Sequence, residues 1–243
     1  MIVSPEDPDR RWYGRRHGKK LRAGRQALVE ELLPRLRVSP EPADLPEDLC
    51  DLFPAPCRQV WLEIGFGAGE HLAAQAAAHP DTGIVGCEPF INGVASLLKH
   101  VHSAELSNVR IYDDDARTLM DALPDASVGR IFVLFADPWP KARHHRRRIM
   151  IESNLQRFAR LLKDGGELRF ASDHLEYAGW TLERLLRQPE FDWLAERADD
   201  WRMPPADWVE TRYEAKARAK NNDPVYLRFV RCPRTSRRKS RKS

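Results

Sequence analysis

The chain has no hydrophobic run approaching the ~20 residues that a bilayer-spanning helix needs, and its first residues are polar and acidic rather than those of a secretory leader. Cysteine is scarce: Cys50, Cys57, Cys87 and Cys232 are scattered and form no C-x-x-C pair. That spacing excludes a zinc ribbon or a disulfide framework and predicts reduced thiols. Together these absences predict a cytoplasmic protein with no membrane partner and no metal centre. A large excess of one charge is also missing, since 40 Lys and Arg face 36 Asp and Glu for a net +4. The distribution is uneven, however. Basic residues crowd the N-terminus (Arg10, Arg11, Arg15, Arg16, Lys19, Lys20), the segment from Lys141 to Arg148, and the tail from Arg234 to Lys242. Three separate cationic zones suit a long polyanion better than a small anionic metabolite.

At 243 residues the chain can bury one sizeable core. Residues 1–56 read as a basic N-terminal extension, a short helix and an acidic, proline-rich linker. Residues 57–230 read as one α/β domain and 231–243 as a basic, disordered tail. Few apolar anchors occur before residue 25, so that stretch is expected to be mobile, and Gln26–Leu33 reads as a helix stopped by Pro34. A β/α alternation then begins. Strands are expected at Val60–Ile64, Ile84–Glu88, Val109–Tyr112, Ile131–Phe135 and Leu168–Ala171. Helical spacing separates them at Glu70–Ala78, Phe90–His102, Ala116–Leu123 and Met150–Leu162, with Gly165 placed to end the last. This pattern predicts a mostly parallel sheet with helices on both faces. The alternating run Val225–Val230 is expected as an antiparallel edge strand.

The most informative segment follows the fourth strand. Ile131–Phe135 is continuously apolar and so reads as buried on both faces. Phe135-Ala136-Asp137-Pro138-Trp139-Pro140-Lys141 then adds a carboxylate, an aromatic ring and two prolines, and Arg143, His144, His145, Arg146, Arg147 and Arg148 complete a cationic stretch. Asp137 is thereby expected at the carboxyl end of a central strand, where open α/β sheets bind ligands. The arginines next to it suit phosphates. A carboxylate beside phosphate-binding cations suggests chemistry performed on a nucleic acid. His144 and His145 are adjacent and would diverge on a helix, so they read as phosphate contacts rather than ligands of a shared metal. Trp139 serves equally well as core packing or as a surface for a base.

The first strand closes in Glu63-Ile64-Gly65-Phe66-Gly67-Ala68-Gly69. Glycines such as Gly65 and Gly67 allow a tight turn and close approach of a ligand to the backbone. The spacing is G-x-G-x-G, not the G-x-G-x-x-G of a dinucleotide loop. An acid directly before the loop suits a positively charged ligand better than a pyrophosphate, and S-adenosylmethionine carries both a sulfonium and an ammonium. Glu88 stands where a Rossmann-type strand places its acid for a ribose diol. Asp113, Asp114 and Asp115 follow the third strand, where one is expected to meet the adenine amino group and the others to cap a helix or face water. Glu63, Glu88, Asp115 and Asp137, at four strand ends, read as an adenosylmethionine pocket. Asp173, after Phe170-Ala171-Ser172, reads either as a further site carboxylate or as an N-cap.

The residues from Tyr13-Gly14-Arg15-Arg16 to about Phe229 resemble the bacterial tRNA (guanine-N7-)-methyltransferases. The resemblance is carried chiefly by Asp137-Pro138-Trp139-Pro140-Lys141 with its Arg- and His-rich continuation, by Ala171-Ser172-Asp173, and by Thr211-Arg212-Tyr213-Glu214. It implies a Rossmann-like class I adenosylmethionine-dependent methyltransferase fold, with Glu63, Glu88, Asp115 and Asp137 at the cofactor and Asp137 as the catalytic acid. It further implies that Lys141, Asp173, Thr211, Arg212, Tyr213 and Glu214 hold the guanosine, that Arg143 through Arg148 meet RNA, and that the substrate lies in the tRNA variable loop. Ala136 replaces a usual proline, Ser172 a usual threonine and Tyr213 a usual phenylalanine; none of these removes a polar group. Two rival readings are a tRNA-binding protein that has lost catalysis and a methyltransferase acting on an exocyclic amino group. The intact acids oppose the first. Against the second, Asp137-Pro138-Trp139-Pro140 lacks adjacent prolines and continues into a basic stretch.

Overall fold

Short apolar runs punctuated by glycine and proline give the elements of a computed structural model that describes residues 14–210, 214–215, 218–219 and 222–234. Its strands are β1 (Gln59–Ile64), β2 (Thr82–Cys87), β3 (Val109–Tyr112), β4 (Val128–Leu134), β5 (Leu162–Ser172), β6 (Phe191–Trp193) and β7 (Val225–Arg231). Among the described residues they form one sheet in the order β3-β2-β1-β4-β5-β7-β6. β1 to β5 run parallel, and β7 is antiparallel to both β5 and β6. The antiparallel run expected from the sequence is present, and the three-residue β6 completes that edge outside it. Both faces of the sheet are covered by helices. The continuous apolar run in β4 explains why: Ile131 and Val133 enter one core cluster and Phe132 and Leu134 the other, all at most 8% exposed. Each such side chain removed from water contributes about 1.5–3 kcal/mol.

One face carries α5 (Ala116–Ala122), α6 (Glu152–Leu161) and α7 (Leu175–Leu186), whose buried residues join Ile131 and Val133. The other carries α3 (Glu70–Ala78) and α4 (Ile91–Ser103), with α1 (Ala23–Glu31) lying against α4. A four-residue helix, α8 (Asp199–Arg202), contacts β7. Pro34 does not end the N-terminal helical region. It occupies the first turn of α2 (Leu33–Leu36), where its missing N–H costs nothing. Gly165 does not end α6 either. That helix stops at Leu161, and Gly165 (φ 78°) turns the chain within the irregular start of β5.

Three further expectations are corrected. Residues 39–56 contain 3-10 turns at Pro42–Asp44 and Leu49–Leu52, and Leu49 and Phe53 are buried in the main core. Cys50 and Cys57 are joined in a disulfide, because the second of these turns folds back onto the start of β1 and brings their Cα atoms to 5.2 Å; Cys87 and Cys232 are free. Of the N-terminal stretch expected to be mobile, residues 16–19 are exposed yet held by hydrogen bonds. Ile91 N–H donates to the Arg16 carbonyl, Gly18 N–H to Asn92 Oδ1, and Asn92 Nδ2 to the Lys19 carbonyl, tying residues 16–19 across the start of α4. No helix among the described residues is long and apolar enough to cross a membrane. The tail beyond residue 234 lies outside the described residues.

Candidate functional site

The strand order reverses between β1 and β4, which leaves a crevice beyond their carboxyl ends. The glycine loop after β1 and the Asp137 loop after β4 both open there. Gly65 (φ 71°) and Gly67 (φ 57°) take left-handed conformations that a side chain would strain. Glu88, half-buried just after β2, fastens this loop: its carboxylate accepts from Gly67 N–H and from Phe90 N–H, each at 2.9 Å. Burial pushes the Glu88 carboxyl above its ordinary value. The two N–H bonds oppose that shift, and the charge of nearby Asp137 adds to it. The fold thus lets two acids far apart in the sequence feel one another's charge. Glu63 is 3% exposed on the α3 side of β1, where its Oε2 meets His71 Nδ1 at 2.7 Å.

The three aspartates after β3 are each engaged. Asp113 is gripped by both arms of Arg37 at 2.8 and 2.7 Å, and Asp114 by Arg16 at 2.6 Å. An open cavity of about 610 Å³ lies between these pairs and Tyr112. Asp115 caps α5 through Arg117 N–H and is also paired with the Arg117 guanidinium. For Asp115 to accept from the adenine amino group, as expected, that donor must share its oxygens with Arg117.

The Asp137 loop is braced at both ends. Phe135 (φ 51°) and Trp139 (φ 42°) are in the left-handed region, which costs non-glycine residues of order 1–3 kcal/mol and persists only where surroundings enforce it. Phe135 N–H donates to the Ala171 carbonyl at 2.8 Å, fixing the start of the loop to the end of β5. The other brace is Arg148, one of the six residues expected at RNA. It is 1% exposed, with its Nε donating to the Pro138 carbonyl at 2.8 Å and its Nη atoms to both oxygens of Glu176. Its guanidinium lies 4.8 Å from the Tyr177 ring and 4.7 Å from the Trp180 ring. Arg148 is thus a strut and not an RNA contact, because its fork is consumed inside the fold.

The remaining basic residues are disposed differently. Lys141, Arg143 and Arg146 are exposed; His144, His145 and Arg147 are half-buried. Arg147 packs its charge 4.9 Å from Trp139, and the His144 ring meets the edge of the same indole. Slight burial, then the charges of Arg147, Arg143 and Lys141, hold His144 below its ordinary value. Trp139 is half-buried beneath Arg147 and His144. Asp173 is half-buried and not an N-cap: His174 fills that place, its Nδ1 accepting from Tyr177 N–H. Among the described residues Asp173 makes no hydrogen bond.

Thr211, Arg212 and Tyr213 lie outside the described residues. Glu214 does not extend into the crevice as a guanosine ligand. Its side chain is 1% exposed and accepts from Trp208 Nε1 at 2.6 Å, Tyr226 Oη at 2.5 Å and Arg218 Nη2 at 2.9 Å. Three donors leave it a buried clamp on the segment before β7. Sequence reasoning also missed His71 and the strap of residues 16–19. A histidine in the first turn of the helix that follows a glycine loop was the available signal for the first; paired backbone contacts to Asn92 leave no comparable trace.

The sheet order, the glycine loop at its switch point and the acid after β2 have the form of the class I methyltransferase fold. The fold matches that of the aminoglycoside resistance methyltransferase NpmB1 with a TM-score of 0.52 at 16% identity, over 77% of this chain and 94% of that one. An rRNA methylase from Streptococcus thermophilus matches with a TM-score of 0.51 at 11% identity, over 79% and 98%. A family model described as "Putative methyltransferase" matches residues 57–227. Sequence relatives narrow the class. The tRNA (guanine-N(7)-)-methyltransferase of Rhodospirillum rubrum is 52% identical over 96% of this chain and 92% of its own length. That of Chelativorans sp. is 48% identical over 93% and 97%. The chain belongs to the tRNA (guanine-N(7)-)-methyltransferase family.

Proposed function

We propose that the chain transfers a methyl group from S-adenosylmethionine to N7 of a guanosine in the variable loop of tRNA. The observation that carries this reading is the meeting of carboxylates and cations at one crevice, where the charge of Asp137 is felt at Glu88 and the Asp137 loop runs on into exposed Lys141, Arg143 and Arg146. The donor set fits the cofactor: Glu63 retains one oxygen, Oε1, with no protein partner among the described residues, and carboxylates suit its positive charges. Glu88 keeps acceptor capacity beyond its two backbone bonds, enough for a ribose diol. When bound, adenosylmethionine supplies an activated methyl group on positively charged sulfur.

Guanine N7 has an in-plane lone pair, so no base must first remove a proton. The chain's work is to orient the ring and to meet charge. In this reading Asp173, which makes no hydrogen bond among the described residues, accepts from the donor edge of the guanine, with Thr211, Arg212 and Tyr213 as further contacts. Asp137 stabilises the positive charge that reaches the ring as the methyl–sulfur bond breaks and the bond to N7 forms. Lys141, Arg143 and Arg146 hold phosphates, which position the RNA. Replacing Asp137 by Ala is expected to lower transfer by about 10²–10³-fold while leaving tRNA affinity nearly unchanged. Loss of both in equal measure would show Asp137 to be structural and remove it from the chemistry.

A further inference from the structure

Glu63 is fixed by a neighbour that the reaction has not so far required. Its Oε2 meets His71 Nδ1 at 2.7 Å, and the two side chains are 4% and 3% exposed. The surroundings decide which ring nitrogen carries the proton. Gln75 Nε2 donates to the Asp207 carbonyl at 3.1 Å, which fixes the orientation of that amide. The same nitrogen lies 3.5 Å from His71 Nε2. An amide N–H can only donate, so Nε2 is the acceptor and Nδ1 holds the proton offered to Glu63. The ring is held edge-on to Phe132 at 4.9 Å and tilted against Trp208 at 5.6 Å. Trp208 in turn donates to Glu214. One imidazole thus bridges the acid before the glycine loop and the segment that leads into Thr211–Glu214.

We propose that His71 is a positioning residue that presents Glu63 to the positively charged end of the cofactor. This rests on the cofactor reading above. A carboxylate so deeply buried, left without a donor, turns to find another partner, and its free oxygen then loses its direction toward the cation. With Oε2 committed to His71, the remaining oxygen has a defined direction. Gln75 and the Asp207–Trp208 segment keep the imidazole in the one tautomer that can do this.

The test is calorimetric binding of S-adenosylmethionine to the full chain and to variants. His71→Leu keeps the volume and removes the donor; His71→Asn places an amide N–H close to the position of Nδ1, whereas His71→Gln places it near Nε2. The Leu and Gln variants are expected to bind about tenfold to a hundredfold more weakly, and the Asn variant close to wild type. Should the Leu variant fail to fold, the Asn–Gln pair carries the comparison alone. Wild-type binding by the Leu or Gln variant, or an Asn variant as weak as Gln, overturns the proposal by making His71 a space-filler. Glu63→Gln separates this failure from that of the cofactor reading. If it binds as wild type does, or wild type does not bind at all, the reading itself falls and the role of His71 with it.

Discussion

Arg148 and Arg146 stand two residues apart in one run of arginines, and the structure requires them to fail in opposite ways when truncated. Arg148→Ala removes a charged donor from the Pro138 carbonyl, costing about 1.5–3 kcal/mol. It also removes cation–π contacts with Tyr177 and Trp180, together about 0.5–2 kcal/mol. Glu176 adds little, because its side chain is 50% exposed and its carboxylate returns to water. The sum of about 3 kcal/mol lowers Tm by about 6–12 °C for a chain of this size. Methyl transfer falls as well, since the freed carbonyl is the one next to Asp137. The slope of log Kd for tRNA against log salt stays unchanged, because no phosphate contact is lost. Arg146→Ala is expected to leave Tm in place and reduce that slope by about 1. Melting curves and binding at four salt concentrations measure both quantities. A reduced slope with an unchanged Tm for Arg148→Ala would refute the strut and return that residue to the RNA surface.

Other outcomes follow from charges and thiols elsewhere. Burial alone would raise Glu167 and Asp207, but hydrogen bonds and charge from Arg169, with further charge from Arg130, outweigh it and hold both below their ordinary values. A carboxyl depressed in the folded state stabilises above its unfolded value and loses that contribution as pH falls through the folded one. Stability should therefore drop as pH falls below about 4.5, the ordinary glutamate value, and Glu167→Gln should show a shallower drop from a lower plateau; parallel curves would contradict the pairing. Thiol titration of the unfolded, unreduced chain should find Cys87 and Cys232 and not Cys50 or Cys57, all four reacting only after reduction. Reaction of all four without reductant would restore the expectation drawn from their spacing.

The parts of the molecule legible in its sequence are those that depend on local pattern. The continuous run Ile131–Leu134 could be buried on both faces only inside a covered sheet, and from that the place of Asp137 in the loop just beyond the strand followed, although Phe135 already leaves the strand. Glu88 and the glycine turns were legible for the same reason, since strand ends and left-handed turns are written locally. What the sequence could not supply was partnership. Arg148 looks like Arg146 until the fold turns it onto Trp180 and Pro138. Glu214 looks like a ligand until Trp208, Tyr226 and Arg218 converge on it. Cys50 and Cys57 looked unrelated because a 3-10 turn, not a motif spacing, brings them together. β6 is three residues long and owes its existence to the free edge of β7 rather than to any pattern of its own.

The central claim concerns which atom receives the methyl group, so the most direct measurement is the product itself. Unmodified tRNA would be incubated with the chain and labelled S-adenosylmethionine, digested, and its nucleosides separated and weighed. The account predicts one labelled product, 7-methylguanosine, arising from the variable loop. Label on an exocyclic amino group, or tRNA bound tightly and left unmethylated, would contradict it.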